Sequence, residues 1–174
     1  MSQNRTEVGI VMGSDSDWPL VKKAAATLKE FGVSCECRVI SAHRTPEVAS
    51  EYASGAAGRG LKIVIAAAGG AAHLGGVLAA HTTLPVIGIP VKGGALNGMD
   101  SLLATLQMPA GIPVATVTLG SAGPVNAAVL AVQILALSQP GLRRRLASYK
   151  KGLTQKVSRG DAAVQEDLAR ETES

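Results

Sequence analysis

The hexapeptide Ser41-Ala42-His43-Arg44-Thr45-Pro46 puts a hydroxyl, an imidazole and a guanidinium within four consecutive positions. Histidine titrates near neutral pH, so an imidazole here can take and return a proton within one turnover. Arg44 stands just before a helix start signalled by Thr45-Pro46. A cation is disfavoured at that end of a helix unless an anion shares the site, and phosphate matches the guanidinium's planar fork. A solitary loop histidine is usually inert; Ser41 and Arg44 beside it make His43 the candidate proton-transfer group.

Two further loops carry compatible chemistry. Gly13-Ser14-Asp15-Ser16-Asp17 offers hydroxyls and helix N-terminal amides, an anion cradle in which Ser14 suits phosphate. Two carboxylates at one phosphate would repel it, so at least one faces elsewhere, and Asp17 is suited to accept hydrogen bonds from sugar hydroxyls. Simple capping would explain one Ser or Asp, though hardly four in a row. Neither GxGxxG nor GxxxxGK[ST] occurs in this loop, so neither a dinucleotide nor a nucleoside triphosphate is indicated. Ala68-Gly69-Gly70-Ala71-Ala72-His73-Leu74 has little side-chain bulk, which lets backbone close on a flat ligand. The amides of Gly70, Ala71 and Ala72 are candidate carboxylate donors, with His73 a binding or structural residue. His81 reads as an ordinary helix-end histidine. A His43/His73 metal site lacks supporting carboxylates, so no metal is expected.

These loops need elements to hold them, and the apolar periodicity supplies an alternating series. Strand signals cover Val8–Met12, Val33–Ile40, Lys62–Ala67, Pro85–Ile89 and Pro113–Leu119. Helix signals fall between them, from Asp17 to Gly32, Pro46 to about Ala57, Ala71 to about His81, Met99 to Leu106, and Ser121 to Leu137. A final basic helix opens at Pro140-Gly141. The strands are almost continuously apolar, as a parallel sheet covered on both faces requires. The expected architecture is α/β: a three-layer αβα sandwich around a central parallel sheet, flavodoxin-like or Rossmann-like. It forms a single domain over residues 1–157 that includes the C-terminal helix, followed by a poorly ordered polar tail over 158–174. In such sheets ligands sit beyond the carboxyl ends of the strands, where all three loops fall.

Composition narrows the partners. The 174 residues are 47% hydrophobic and 17% charged, enough for one buried core. No apolar run approaches the roughly 20 residues of a membrane span, and the start lacks the pattern of an export signal, so a cytoplasmic location is expected. The net charge of +4 is largely a tail property: 9 Lys+Arg face 8 Asp+Glu up to Leu142, against 8 and 5 from Arg143 onward. With aromatics at 2%, stacking platforms for nucleic acid are nearly absent. Cys35 and Cys37 project to one face of a strand, cannot comfortably bridge, and read as packing thiols. The helix Val125–Leu137 has only Asn126 and Gln133 as polar residues, which predicts burial against a second copy in a closed homo-oligomer.

At the three loops the chain resembles the N5-carboxyaminoimidazole ribonucleotide mutase family of purine biosynthesis. Asn97-Gly98-Met99-Asp100-Ser101-Leu102, Gln107-Met108-Pro109 and Asn126-Ala127-Ala128 match as well, so the likeness spans about residues 7–140. The resemblance implies a homo-octamer, no metal or organic cofactor, and a phosphorylated aminoimidazole ribonucleotide as substrate. It implies transfer of a carboxylate from the exocyclic nitrogen to the ring carbon through released and trapped carbon dioxide. It places phosphate near Ser14, Ser41 and Arg44, ribose near Asp17, and the general acid/base at His43. One departure is visible: the family usually has Pro after the His-Leu of the third loop, where this chain has Gly75, which puts the role of His73 and the stiffness of that wall in question. The Gly-Gly-Ala-Ala-His-Leu run favours the mutase over direct carboxylation of aminoimidazole ribonucleotide. A non-catalytic flavodoxin-like binding module is the alternative of another class; the scarcity of aromatics speaks against flavin.

Overall fold

Val8, Ile10 and Met12 alternate with Gly9 and Val11 along a strand so apolar that every residue of it is buried. In the computed structural model, which describes residues 6–172, this strand, β1 (Val8–Met12), is followed by a single 3-10 turn and α1 (Trp18–Glu30). Then come β2 (Cys35–Val39), α2 (Pro46–Ala56), β3 (Ile63–Gly69), α3 (Leu74–Ala80), β4 (Val86–Val91), α4 (Met99–Leu106), β5 (Ala115–Thr116), α5 (Gly123–Ala136) and α6 (Pro140–Thr172). The five strands form one parallel sheet in the order β2-β1-β3-β4-β5.

Alternation along the strands divides the core in two. Val8, Ile10, Met12, Ile63, Ile65, Ile87 and Ile89 point to one face and pack against α1 and α5. Val11, Val64, Ala66 and Val86 point to the other, against Tyr52 and Ala53 of α2 and Leu74 and Leu78 of α3. The expected three-layer sandwich is present, and among the described residues no helix is long and apolar enough to cross a membrane.

Several boundaries differ from the sequence expectation, and four of them have a local reason. β4 runs through Pro90 to Val91. Proline cannot donate to a ladder, but β5 pairs only with Ile87 and Gly88, so the missing bond faces a side where the neighbouring strand has ended. β5 itself is two residues long, because it is the sheet's edge and pairs only over that stretch. α3 begins at Leu74 rather than Ala71, since Gly70 takes φ +60° and the chain closes two tight turns, Ala72 N–H to Gly70 O at 2.9 Å and His73 N–H to Ala71 O at 2.8 Å. α6 continues without a break past residue 158 to Thr172, through Ala, Gln, Glu, Leu and Arg, all favourable in a helix.

Ala127, Ala128, Ala131, Val132 and Leu135 of α5 are buried by α1, the sheet and α6 of the same chain, with Asn126 and Gln133 on the exposed side. The first turns of α6 add to the cover given by α1 and the sheet, while Val125, Val129, Leu130 and Ile134 stay half-buried and Leu137 is exposed.

Candidate active site

Beyond the carboxyl ends of β1, β2 and β3 lies a cavity of about 420 Å³, lined from the loops that follow those three strands. Its position follows from strand order. β1 leads through α1 on one face of the sheet, and β3 leads through α3 on the other, so the loops part between the two neighbouring strands. That is the switch point at which open α/β sheets bind ligands.

The first wall is made by Gly13, Ser14 and Asp17. The Ser14 hydroxyl caps the 3-10 turn, accepting from Ser16 N–H at 3.3 Å and from the Ser16 hydroxyl at 2.8 Å. Burial holds the Asp17 carboxyl above the ordinary carboxylate value, opposed by a hydrogen bond from the Ser14 backbone and reinforced by the Asp15 charge. A half-buried carboxylate at the edge of a cavity is a strong acceptor for hydroxyls that enter with a ligand.

The second wall is Ser41-Ala42-His43-Arg44. Thr45 does not cap α2 with its side chain. Its hydroxyl instead accepts from Ser41 N–H and donates to Ser41 O, both at 3.0 Å, and so closes the loop on itself. Arg44 spans two loops: its guanidinium donates to Gly13 O at 3.1 Å and to the Ser41 hydroxyl at 3.4 Å. This ties the cation beside Ser14 and Ser41 while leaving other donors of the fork unengaged by these bonds, so an anion entering there meets a fixed guanidinium.

The third wall is Ala68, Gly69, Ala71, His73 and Leu74. His43 Nε2 and His73 Nδ1 stand 2.7 Å apart with the rings edge to face, so one nitrogen must carry hydrogen and the other a lone pair. Two imidazoles in this contact hold a proton between them and fix each other's orientation. The contact joins residues 30 apart in the chain, and no local spacing signals it.

Eight of the ten residues singled out in the sequence line the cavity: Ser14, Asp17, Ser41, His43, Arg44, Ala71, His73 and Leu74. Gly70 and Ala72 do not. Ala72 is buried beneath the loop and its amide is spent on Gly70 O, so it is not a carboxylate donor; Gly70 shapes the turn with its positive φ. Gly13, Ala42, Ala68 and Gly69 complete the lining, and their signal was smallness next to polar neighbours. Gly75 is buried in the first turn of α3, where an added Cβ would meet Val114 at 3.4 Å, an ordinary contact. His81 bonds to the Ser50 hydroxyl at 3.3 Å, joining α3 to α2 away from the cavity. Cys35 and Cys37 are free thiols half-buried against the core, and no cluster of three or more metal-ligating side chains exists among the described residues.

Comparison with known proteins follows the same lines. The family model described as AIR carboxylase matches residues 7–156. A Mycobacterium tuberculosis protein named N5-carboxyaminoimidazole ribonucleotide mutase is 56% identical over 161 residues, covering 92% of this chain and 91% of the relative. The Pyrococcus horikoshii protein of the same name is 55% identical over 157 residues, covering 90% and 88%. The crystal structure of Treponema denticola PurE superposes with a TM-score of 0.80 at 33% identity, covering 89% of this chain and 96% of that one. With the matched segment containing all three walls of the cavity, the chain belongs to the AIR carboxylase family.

Proposed function

We propose that this protein is an isomerase of purine biosynthesis that converts N5-carboxyaminoimidazole ribonucleotide into 4-carboxy-5-aminoimidazole ribonucleotide. The observation that carries the reading is the pairing of His43 with a tethered Arg44 at the mouth of the sheet, across from Ser14 and Asp17. Relatives named for this reaction, at 55–56% identity over most of both chains, support it over direct carboxylation.

In this reading Arg44, Ser41 and Ser14 hold the phosphate and Asp17 accepts from the ribose hydroxyls. The wall at Ala71 and Leu74, with the loop turned by Gly70 over the buried Ala72, lies against the imidazole ring. The carbamate C–N bond breaks, its electron pair returns to the exocyclic nitrogen, and that nitrogen takes a proton from His43. Carbon dioxide stays in the pocket, whose small-residue wall leaves little room for competing water. The ring carbon attacks it, a C–C bond forms, and the ring proton passes to His43, restoring its starting state. His73 orients the His43 ring through the short nitrogen–nitrogen contact. No metal or organic cofactor takes part. The protein works in the cytoplasm as a homo-octamer, on a free nucleotide rather than on nucleic acid or at a membrane.

The test is to supply the carbamate nucleotide without bicarbonate, and separately aminoimidazole ribonucleotide with bicarbonate. Rapid formation of the carboxylated product from the carbamate alone is expected. Efficient turnover with only the second mixture would replace the mutase by a carboxylase.

A further inference from the structure

One apolar stripe runs the length of α6, yet the body of the protein covers only its beginning. Leu142 is buried, and Leu146 and Tyr149 pack against the core, Tyr149 with its ring 5.2 Å from that of Phe31. From Lys150 to Glu171 every side chain is exposed. The stripe nevertheless continues, with Leu153, Val157, Val164 and Leu168 at 44%, 73%, 64% and 55% exposure. At about 100° per residue, all seven fall in a sector of roughly 100°, the width of a face meant for packing. The exposed portion spans about six turns, and helices in proteins draw most of their stability from packing of an amphipathic face.

Two patterns identify what covers it. Leu153 and Val157 lie as far before the Gly160–Asp161 bond as Leu168 and Val164 lie after it. A twofold axis through that bond sets Leu153 of one copy against Leu168 of the other and Val157 against Val164, with Gly160 at the crossing, where its lack of side chain allows close approach. The charges have the matching asymmetry. Lys150, Lys151, Lys156 and Arg159 precede the axis; Asp161, Glu166, Asp167 and Glu171 follow it, with Arg170 the single cation among them. Antiparallel pairing places the basic half beside the acidic half, whereas parallel pairing stacks like charge on like.

We infer that the exposed half of α6 is a self-recognition arm, which pairs antiparallel with the same helix of a second copy across a twofold axis at Gly160–Asp161. The contact is isologous, so it closes on itself and does not propagate. It does not depend on the catalytic reading, and its test needs no substrate.

The experiment places single cysteines in the full-length chain with the native thiols removed by Cys35→Ala and Cys37→Ala. Gly160→Cys should convert mostly to a covalent dimer under mild oxidation, because both copies present this position at the axis. Leu168→Cys should stay uncrosslinked, because antiparallel pairing separates the two sulfurs by about 22 Å along the axis. Adding Val157→Asp and Val164→Asp to Gly160→Cys should reduce the covalent dimer at least ten-fold, with circular dichroism reporting that the fold remains. If the double-alanine background does not fold, the same cysteines are introduced with Cys35→Ser and Cys37→Ser. Crosslinking at Leu168 would mean parallel pairing and overturn the inference. So would an uncrosslinked Gly160→Cys, or a crosslink that survives the two aspartates.

Discussion

β1 and β3 are adjacent parallel strands, and so are β3 and β4, yet the cavity opens at the first boundary and not at the second. All three strands are apolar, and all are buried except the last two residues of β3. The difference lies in where the chain goes next. From β1 and β3 it leaves to opposite faces of the sheet, so the loops separate. From β3 and β4 it leaves to the same face, where α3 and α4 both sit, and the loops run side by side. Small and polar residues at the first boundary therefore line space. At the second, smallness has another use: Gly88 of β4 makes room for Thr105 and Val114 from the elements packed over it. A glycine is a ligand-facing residue on one side of β3 and a packing residue on the other.

Substitutions can break this contrast. His43→Asn, at the open boundary, should leave nucleotide binding intact and cut turnover by ~100-fold or more, the usual scale for a general acid/base. Near-normal turnover would remove His43 from the chemistry. Arg44→Ala should weaken binding of the phosphorylated ligand by roughly 10- to 100-fold, the scale of lost charge-assisted hydrogen bonds, while barely affecting the corresponding nucleoside; calorimetry with both ligands separates the cases. Gly88→Ala tests the closed boundary. Its Cβ would come within 2.4 Å of Thr105 Cγ2 and 2.8 Å of Val114 Cγ1, which should cost about 1–3 kcal/mol of stability in denaturant melts. Turnover per folded molecule should not change.

Two smaller effects sharpen the comparison. Because burial raises the Asp17 carboxyl, the folded chain binds that proton more tightly than the unfolded chain does, and ionisation of Asp17 opposes folding. The penalty is present above the folded value and disappears as pH falls through it. Asp17→Asn should therefore raise Tm near neutral pH, with a gain that shrinks on acidification, while affinity for the ribose-bearing ligand drops. A gain independent of pH would deny the burial. Gly75→Ala, in the first turn of α3 with ordinary space for a Cβ, should add about 0.5–1 kcal/mol by reducing the freedom of the unfolded chain. Melting curves with and without ligand would show whether the stiffer loop also binds more tightly.

The three loops and the fold class were legible in the chain because both rest on local rules. Continuous apolar strands alternating with helices specify a covered parallel sheet, and loops after such strands carry the ligand chemistry. His43, Arg44, Ser41, Ser14 and Asp17 all stand in the expected loops and line one cavity. The Ala72 amide was misjudged because the choice between a helix turn and a tight turn at Gly70 depends on how the chain must reverse above β3. α5 shows the same limit: α1, the sheet and the first turns of α6 cover most of its apolar side, and which helices meet over it is a matter of packing between distant segments.

Sequence alone settled which residue types are available and on which element each one stands, since propensity, capping and apolar period act over neighbours. Tertiary structure decided which of them meet. The 2.7 Å contact of His43 with His73 and the reach of Arg44 to Gly13 join separate loops. They exist because strand order brings the ends of β1, β2 and β3 together, and no periodicity within a segment encodes a distance between segments.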